Sequence, residues 1–245
     1  MSGTITTQEL NYDVDGTTMK SFLAYDSSQP GARPAVMVVH EWWGLDDYLR
    51  RRATMLAELG YTALAVDMYG NGKTGSSPDE AGALMNAVLG DMDTGTARIR
   101  GAAQALAGVE QADANRMACM GYCFGGAVSL HAARIGMDLR GVVSFHGALG
   151  SFHTAAPGSI KAKILVLHGG GDVLVPDEQV SAFHAEMDAA KADYKFVSYD
   201  GALHGYTNPE ATARGEEYGL PLAYDEATDQ RSWQDMQAFF NEVFS

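Results

Sequence analysis

The sequence predicts an α/β protein with a mostly parallel central sheet and helices on both faces. Apolar stretches of strand length recur along the chain with helical stretches between them, as expected when helical crossovers join parallel strands. Residues 35–39 are apolar without interruption, which is typical of a strand covered on both sides. Hydrophobic residues make up 46% of the 245-residue chain and charged residues 20%, so we expect a large core. We predict a single domain over residues 1–245.

Seven segments are predicted as strands because each is a short stretch dominated by apolar residues. In chain order they are residues 19–25, 35–39, 62–66, 116–120, 141–145, 164–168 and 194–199. The fourth of them stops at Gly121, and a helix of small residues is expected to follow almost at once. This abrupt junction is the first place to look for function.

Six segments between and after these strands are predicted as helices. They are residues 46–59, 78–89, 94–106, 124–133, 177–190 and 229–244. The first is amphipathic and ends at Gly60, a favoured residue just beyond a helix C-terminus. Residues 71–77 and 208–226 are predicted as long surface loops, and we find no repeat, low-complexity tract or linker.

Charge excludes one class of partner. The formal net charge of −14 repels phosphate backbones, and the one cluster of cations, residues 50–52, lies on a predicted helix. Nucleic acid is therefore not an expected partner. Because no apolar run is long enough to span a bilayer, a membrane is not expected either.

The setting predicted for the chain is cytoplasmic. Residues 1–10 lack both a basic segment and an apolar core, so no signal peptide is expected. The two cysteines, Cys119 and Cys123, lie four residues apart, whereas a disulfide scaffold uses more cysteines at wider spacing. A reduced environment suits this pattern, and the chain is expected to be a monomer or a homodimer.

Cys123 lies at the junction of strand and helix, in the sequence Gly121-Tyr122-Cys123-Phe124-Gly125. A reactive side chain between two glycines at such a turn is the nucleophile-elbow pattern, here with cysteine in place of serine. The turn strains the central residue, and the glycines avoid collisions with the neighbouring strand and helix. The helix N-terminus favours the thiolate and can hold a developing oxyanion. We predict Cys123 as the nucleophile; the alternative is a buried cysteine beside a glycine turn.

A thiol nucleophile needs a general base to shuttle protons. In folds with this elbow the partners follow in the chain order nucleophile, acid, histidine, each just after a strand. Asp172 follows the sixth predicted strand and His204 follows the seventh. The acid would hold the imidazole tautomer and support its charged form. Asp177 and Asp200 are rivals for the acid, but neither has the right place relative to both strand and histidine.

Three further histidines lie at the carboxyl ends of predicted strands, where α/β active sites form. They are His40, His146 and His168. We expect them to cap or pack the strands, with lining of a pocket as the alternative. Metal ligation by these three is a second alternative, although His40-Glu41 lacks the second histidine of a zincin helix. No metal is predicted.

Four segments together resemble the dienelactone hydrolases: residues 38–45 (Val-Val-His-Glu-Trp-Trp-Gly-Leu), the Cys123 elbow, and the loops of Asp172 and His204. The similarity runs from about residue 35 to 244. The resemblance implies a small α/β-hydrolase without cofactor, in which a Cys-His-Asp triad cleaves a small-molecule ester or lactone.

The same resemblance assigns further roles around the thiol. It implies that Glu41 contacts the resting thiol and accepts its proton, and that the backbone N–H groups of Trp42 and Phe124 hold the oxyanion. A carboxylate beside a thiol disfavours the thiolate, so a neutral, stored thiol in the free enzyme is the expected consequence.

The substrate pocket departs from the family pattern. Members that act on dienelactone carry two arginines for its carboxylate, one on a helix before the elbow and one shortly after the histidine. Here residues 79–93 contain no arginine, and none lies at 205–209. The predicted pocket residues are Trp43, Tyr122, His146 and Tyr206, besides the motif aromatics. Such a pocket favours a neutral, aromatic or otherwise apolar ester.

Two other functions stay open at this point. An open site without a carboxylate clamp could hydrolyse activated neutral esters promiscuously, phosphotriesters included. A hydrolase scaffold could also serve as a non-catalytic binding module, because fold does not fix function.

Overall fold

The computed structural model describes residues 3–245, which form eight strands and seven helices and confirm the predicted α/β class. The strands are β1 (Ile5–Val14), β2 (Thr17–Asp26), β3 (Arg33–Val39), β4 (Thr62–Val66), β5 (Ala112–Tyr122), β6 (Gly141–Phe145), β7 (Lys163–Gly169) and β8 (Tyr194–Tyr199). The helices are α1 (Asp47–Glu58), α2 (Pro78–Leu89), α3 (Met92–Ala107), α4 (Phe124–Arg134), α5 (Asp177–Ala190), α6 (Ala211–Tyr218) and α7 (Glu226–Phe244). Strands β1, β2, β4 and β3 are neighbours in that order, and so are β6, β7 and β8.

The chain divides into two compact units, Met1–Met120 and Gly121–Ser245. In the first unit β3 and β4 pair in parallel, while β2 runs antiparallel to both β1 and β4. Every residue of β4 is buried, as the continuous apolar sequence of this strand requires. The assignment of residues 1–245 to a single domain stays a prediction.

The first strand that the sequence predicted, residues 19–25, is the second strand of an N-terminal hairpin. Strands β1 and β2 pair from Ile5–Asp26 to Val14–Thr17, and the turn between them is Asp15-Gly16. Both turn residues have positive φ, 48° and 76°. Asp-Gly is a preferred turn sequence because it tolerates these angles, and the turn twists in the same sense as the strands. This dipeptide is the signal from which β1 could have been found.

The second unit is built on three parallel strands, β6, β7 and β8. Arg134 at the end of α4 is 1% exposed, and its guanidinium donates to both carboxylate oxygens of Glu186 on α5, each at 2.8 Å. It also donates to the carbonyls of Leu149 (2.8 Å) and Gly150 (3.2 Å). Because a buried charge is costly unless it is paired and hydrogen-bonded, these bonds fix α4, α5 and the loop after β6 together.

The predicted loop 208–226 is corrected by the structure, since α6 lies inside it. This helix ends at Gly219, whose φ of +65° is the left-handed conformation common just beyond helix C-termini. The short length of α6 and its weak apolar pattern explain why it was missed. Among residues 3–245, none of the helices combines the length and apolarity that a membrane span needs.

Candidate active site

Cys123 lies at the turn between β5 and α4, where its backbone adopts φ +54° and ψ −116°. A non-glycine residue in this region is strained, and such strain is concentrated at functional sites. Its amide donates to the carbonyl of Phe145 at the end of β6, at 3.0 Å. Because α4 begins at Phe124, the partial positive charge of the helix N-terminus lies beside the thiol. Cys119, by contrast, is fully buried.

Glycines make this turn possible. A Cβ added to Gly121 would lie 2.1 Å from the carbonyl oxygen of Gly125, so no side chain fits there. A Cβ on Gly126 would lie 2.6 Å from Oγ of Ser144 and 2.8 Å from Cα of Gly147. The first turn of α4 therefore packs directly on the end of β6.

His204 and Asp172 form a buried pair. Nδ1 of His204 lies 2.8 Å from Oδ2 of Asp172, and the backbone amide of Leu174 donates to Oδ1 of the same carboxylate at 2.9 Å. Both side chains are buried, and Cys123 is close enough to His204 to raise the pKa of the imidazole. The three predicted triad side chains are thus brought together within the second unit.

The charge state of His204 follows from this arrangement. Burial by itself lowers the pKa of His204, but Cys123 and Asp172, through charge and hydrogen bonds, outweigh burial and hold the pKa well above its ordinary value. The protonated imidazole is therefore favoured between the sulfur and the carboxylate.

Three glycines at the end of β7 bring the loops of Asp172 and His204 together. The amide of Gly170 donates to the carbonyl of Tyr199 at 2.8 Å, and the amide of Gly171 donates to the carbonyl of Ala202 at 2.9 Å. A Cβ on Gly169 would lie 2.6 Å from the same Ala202 oxygen. The run Gly169-Gly170-Gly171 thus lets two backbones approach closely enough for a short aspartate to reach the histidine.

The second histidine in this region is His146, which directly follows β6 and is buried. Its ring lies 5.2 Å from the ring of His204 and 5.1 Å from that of Tyr206, between centroids. Tyr122 and Tyr206 have no exposed surface, and the hydroxyl of Tyr206 donates to the carbonyl of Leu167 at 3.0 Å. Their burial fits core packing, and their assignment to the substrate pocket stays a prediction.

His40 is a strand cap in the first unit. Its Nδ1–H donates to the carbonyl of Glu41 at 2.5 Å, and its Nε2 accepts from the amide of Met68 at 3.2 Å. Burial lowers the pKa of His40 to about 4, so the ring is neutral near neutral pH. Burial also lowers the pKa of His168, with Asp172 opposing the shift. Within residues 3–245, no group of three or more His, Cys, Asp or Glu side chains is arranged to hold a metal ion.

The motif after β3 belongs to the first unit. Glu41 and Trp43 are buried, Trp42 is half-buried, and the two indole rings lie 4.8 Å apart between centroids. The hydroxyl of Tyr69 donates to the carbonyl of Trp42 at 2.8 Å, which holds this segment of backbone. The roles of these residues towards the thiol stay predictions from the family resemblance.

Comparison with known proteins gives a consistent result. The model of the dienelactone hydrolase family matches residues 19–244. The crystal structure of the dienelactone hydrolase-like promiscuous phosphotriesterase P91, from metagenomic libraries, is 33% identical, covers 99% of this chain and 100% of that one, and gives a TM-score of 0.91. A structure named m3DLH is 36% identical with the same coverage and a TM-score of 0.93. Protein usf of Aquifex pyrophilus is 26% identical over 97% of this chain and 99% of its own.

Proposed function

Because the chain belongs to the dienelactone hydrolase family, and is therefore a hydrolase that acts on esters or lactones, we propose that Cys123, His204 and Asp172 form its catalytic triad. The observation that carries this proposal is the 2.8 Å contact between Nδ1 of His204 and Oδ2 of Asp172, with Cys123 close enough to raise the pKa of His204. Each of the three residues has the place in the fold that the chemistry needs: the thiol on a strained turn, the base and its acid on adjacent loops.

The reaction proceeds through an acyl-enzyme. Sγ of Cys123 attacks the carbonyl carbon, and the tetrahedral oxyanion accepts a hydrogen bond from the backbone N–H of Phe124 at the start of α4. When the intermediate collapses, the C–O bond breaks and the leaving alcohol takes a proton from the His204 imidazolium. His204 then removes a proton from water, which attacks the thioester, and the acid product leaves the thiol.

Asp172 makes the imidazole effective in both half-reactions. Its carboxylate accepts from Nδ1, which leaves Nε2 as the nitrogen that exchanges protons with the thiol, the leaving group and water. The same carboxylate is one of the groups that raise the pKa of His204. The ring therefore carries the proton that the leaving group needs.

Glu41 and the amide of Trp42 complete the proposal, on the family resemblance. Glu41 would take the proton of the resting thiol, and Trp42 would supply the second oxyanion donor. Replacing Glu41 with glutamine keeps the shape and removes the proton acceptor, so we expect slower acylation in single-turnover measurements with an aryl ester. Unchanged single-turnover rates would remove Glu41 from the mechanism.

The substrates proposed are neutral esters and lactones. The absence of arginine from residues 79–93 and 205–209 leaves no cation at the places where family members bind the dienelactone carboxylate. Hydrolysis of phosphotriesters is a second candidate activity, favoured by the 33% identity with P91 over nearly the whole chain. A phosphotriester is also neutral, and the same sulfur could displace an aryl oxide at phosphorus. The cytoplasmic setting and the monomeric or homodimeric state stay predictions.

A side-by-side assay of three substrates tests the proposed function: a dienelactone, a neutral aryl ester and a dialkyl aryl phosphate. We expect kcat/KM to be highest for the aryl ester and lowest for the dienelactone, whose carboxylate has no cationic partner. Rapid quenching followed by mass analysis of peptides should place the acyl or phosphoryl adduct on Cys123. Turnover with an adduct elsewhere would contradict the mechanism, and binding of all three without turnover would favour a non-catalytic binding module.

A further inference from the structure

The proposed mechanism uses no atom of His146, yet this residue packs against the proposed general base. The ring planes of His146 and His204 meet at 67°, with the centroids 5.2 Å apart. His146 is 1% exposed, so its polar ring has been taken out of water. Burying a polar ring costs free energy unless hydrogen bonds offset the lost contact with water. The hydrogen-bond partners of His146 therefore indicate what holds it in place.

Hydrogen bonds hold His146 from two sides. Its backbone N–H donates to the carbonyl of Leu167 on β7 at 2.9 Å. Its Nε2 lies 2.7 Å from Oγ1 of Thr207, a residue with no exposed surface. Thr207 is three residues beyond His204 in the same loop. The ring of His146 is therefore fixed to the segment that carries the general base, and not only to its own strand.

The backbone of His146 is strained. Its φ of +38° lies in the left-handed region, which costs energy for a residue with a side chain. Glycine would adopt the same angle without that cost. The neighbouring Gly147 is tightly enclosed, since an added Cβ would lie 2.4 Å from Oγ of Ser144. The chain thus keeps a histidine at a turn where the backbone alone would favour glycine.

The end of β6 is also bonded to the nucleophile. The carbonyl of Phe145, directly before His146, accepts the amide of Cys123 at 3.0 Å. The dipeptide Phe145-His146 therefore holds the nucleophile through its backbone and meets the base through its side chain.

We propose that His146 is a positioning residue for the ester hydrolysis, and that together with Thr207 it fixes the ring of His204 in the plane that joins Asp172 to Cys123. This inference rests on the proposed function. The hydrogen bond at Nδ1 would by itself leave the imidazole free to rock about that bond, and a second ring packed at a steep angle restricts the motion. Small misplacements of a reacting group are costly, about 100-fold in rate for a displacement of about 1 Å.

Several titratable groups face the two rings. They are Cys123 at the elbow, His168 near the end of β7, Asp172 in the loop after it, and the rings of Tyr122 and Tyr206. Replacing Thr207 with valine removes one hydroxyl and leaves all of these charges in place. A change in the pH dependence of the thiol in this variant would therefore report on the orientation of His204 and not on a lost charge.

The test compares Thr207→Val, Thr207→Ser, His146→Phe and the double variant Thr207→Val/His146→Phe with the wild type. We expect Thr207→Val and His146→Phe each to lower kcat for a neutral aryl ester by about 10- to 100-fold with KM unchanged. Thr207→Ser, which keeps the hydroxyl, should restore kcat. The double variant should be no slower than His146→Phe, because both changes break the same contact.

Alkylation of Cys123 by iodoacetamide gives the second readout. A less well-placed imidazolium stabilises the thiolate less, so the pH midpoint of alkylation should move up in Thr207→Val and His146→Phe. His184→Phe is the matched control and should behave as wild type. His184 lies on α5 and packs against Tyr194 and Phe196 of β8. Thermal unfolding shows which variants are folded.

Wild-type kcat and a wild-type alkylation midpoint in folded Thr207→Val and His146→Phe would overturn the positioning role. An equal loss in Thr207→Ser would do the same, since that variant keeps the hydrogen bond. Cys123→Ala separates this failure from failure of the proposed function. If Cys123→Ala is inactive while His146→Phe is fully active, only the positioning role of His146 is contradicted. If Cys123→Ala is active, the proposed triad is contradicted.

Discussion

Replacing Cys123 with alanine is expected to lower kcat for ester hydrolysis by on the order of 10⁶-fold, the loss seen when a triad nucleophile is removed. Alanine leaves the turn intact, because its side chain is smaller than that of cysteine and the strained φ of +54° is already imposed by the surrounding structure. Without the sulfur the site has no nucleophile, and no thioester can form. Steady-state assays of the aryl ester and thermal unfolding of the variant give the measurement.

Cys119→Ala is the matched control for this experiment. Cys119 is the other cysteine of the chain, fully buried on β5 and four residues before the elbow. Its replacement removes one buried sulfur, so stability should fall modestly while kcat stays at the wild-type level. The triad would be ruled out by wild-type turnover in Cys123→Ala, or by a loss of activity in Cys119→Ala that Cys123→Ala does not show.

Replacing Asp172 with asparagine is expected to lower kcat by about 10⁴-fold, the cost of presenting the wrong histidine tautomer to the nucleophile. The side-chain oxygen of asparagine can still accept a hydrogen bond from the backbone N–H of Leu174, so the loop should keep its shape. It carries no charge, however, and the carboxylate is one of the groups that raise the pKa of His204. The pKa of His204 should therefore fall in the variant, and the imidazolium that supports the thiolate is lost as the pH rises through that lower value.

Asp177→Asn provides the comparison for the acid. Asp177 lies five residues later, in the first turn of α5, and is exposed. We expect kcat in this variant to match the wild type, with the alkylation midpoint of Cys123 also unchanged. If Asp172→Asn kept full activity while Asp177→Asn lost it, the acid would have to be reassigned.

Much of the fold could be predicted because local sequence and tertiary position agree in most elements. The bounds predicted for β4, α2, β6, α5 and β8 match those in the structure. Strands β4 and β6 are mostly apolar, α2 begins at Pro78 and ends before Gly90, and α5 directly follows Pro176, so periodicity and end signals point the same way. Strand β1 was missed because half of its residues are exposed and its sequence is mostly polar. Only its Asp-Gly turn marked it.

The pairing of Asp172 with His204 could be predicted because a rule of chain order applies to it. The order nucleophile, acid, histidine selected Asp172 and His204, and the structure brings their side chains within 2.8 Å. No such rule reaches His146 and Thr207, which are 61 residues apart and meet only through tertiary packing. Nor does the sequence show that the backbone of His146 is strained, since that angle is set by the turn that directly follows β6.

The close backbone contact between Gly169-Gly170-Gly171 and the loop after β8 affects which neighbouring positions tolerate substitution. Val173 and Leu174, 70% and 49% exposed, stand immediately beside Asp172, yet the carboxylate is anchored by main-chain atoms and by His204. New side chains at these two positions can therefore alter the surface next to the Asp172 carboxylate without displacing it. Substitutions at residues 173 and 174 should leave the position of the Asp172 carboxylate unchanged. Libraries that diversify these two residues should therefore yield mostly folded, active proteins.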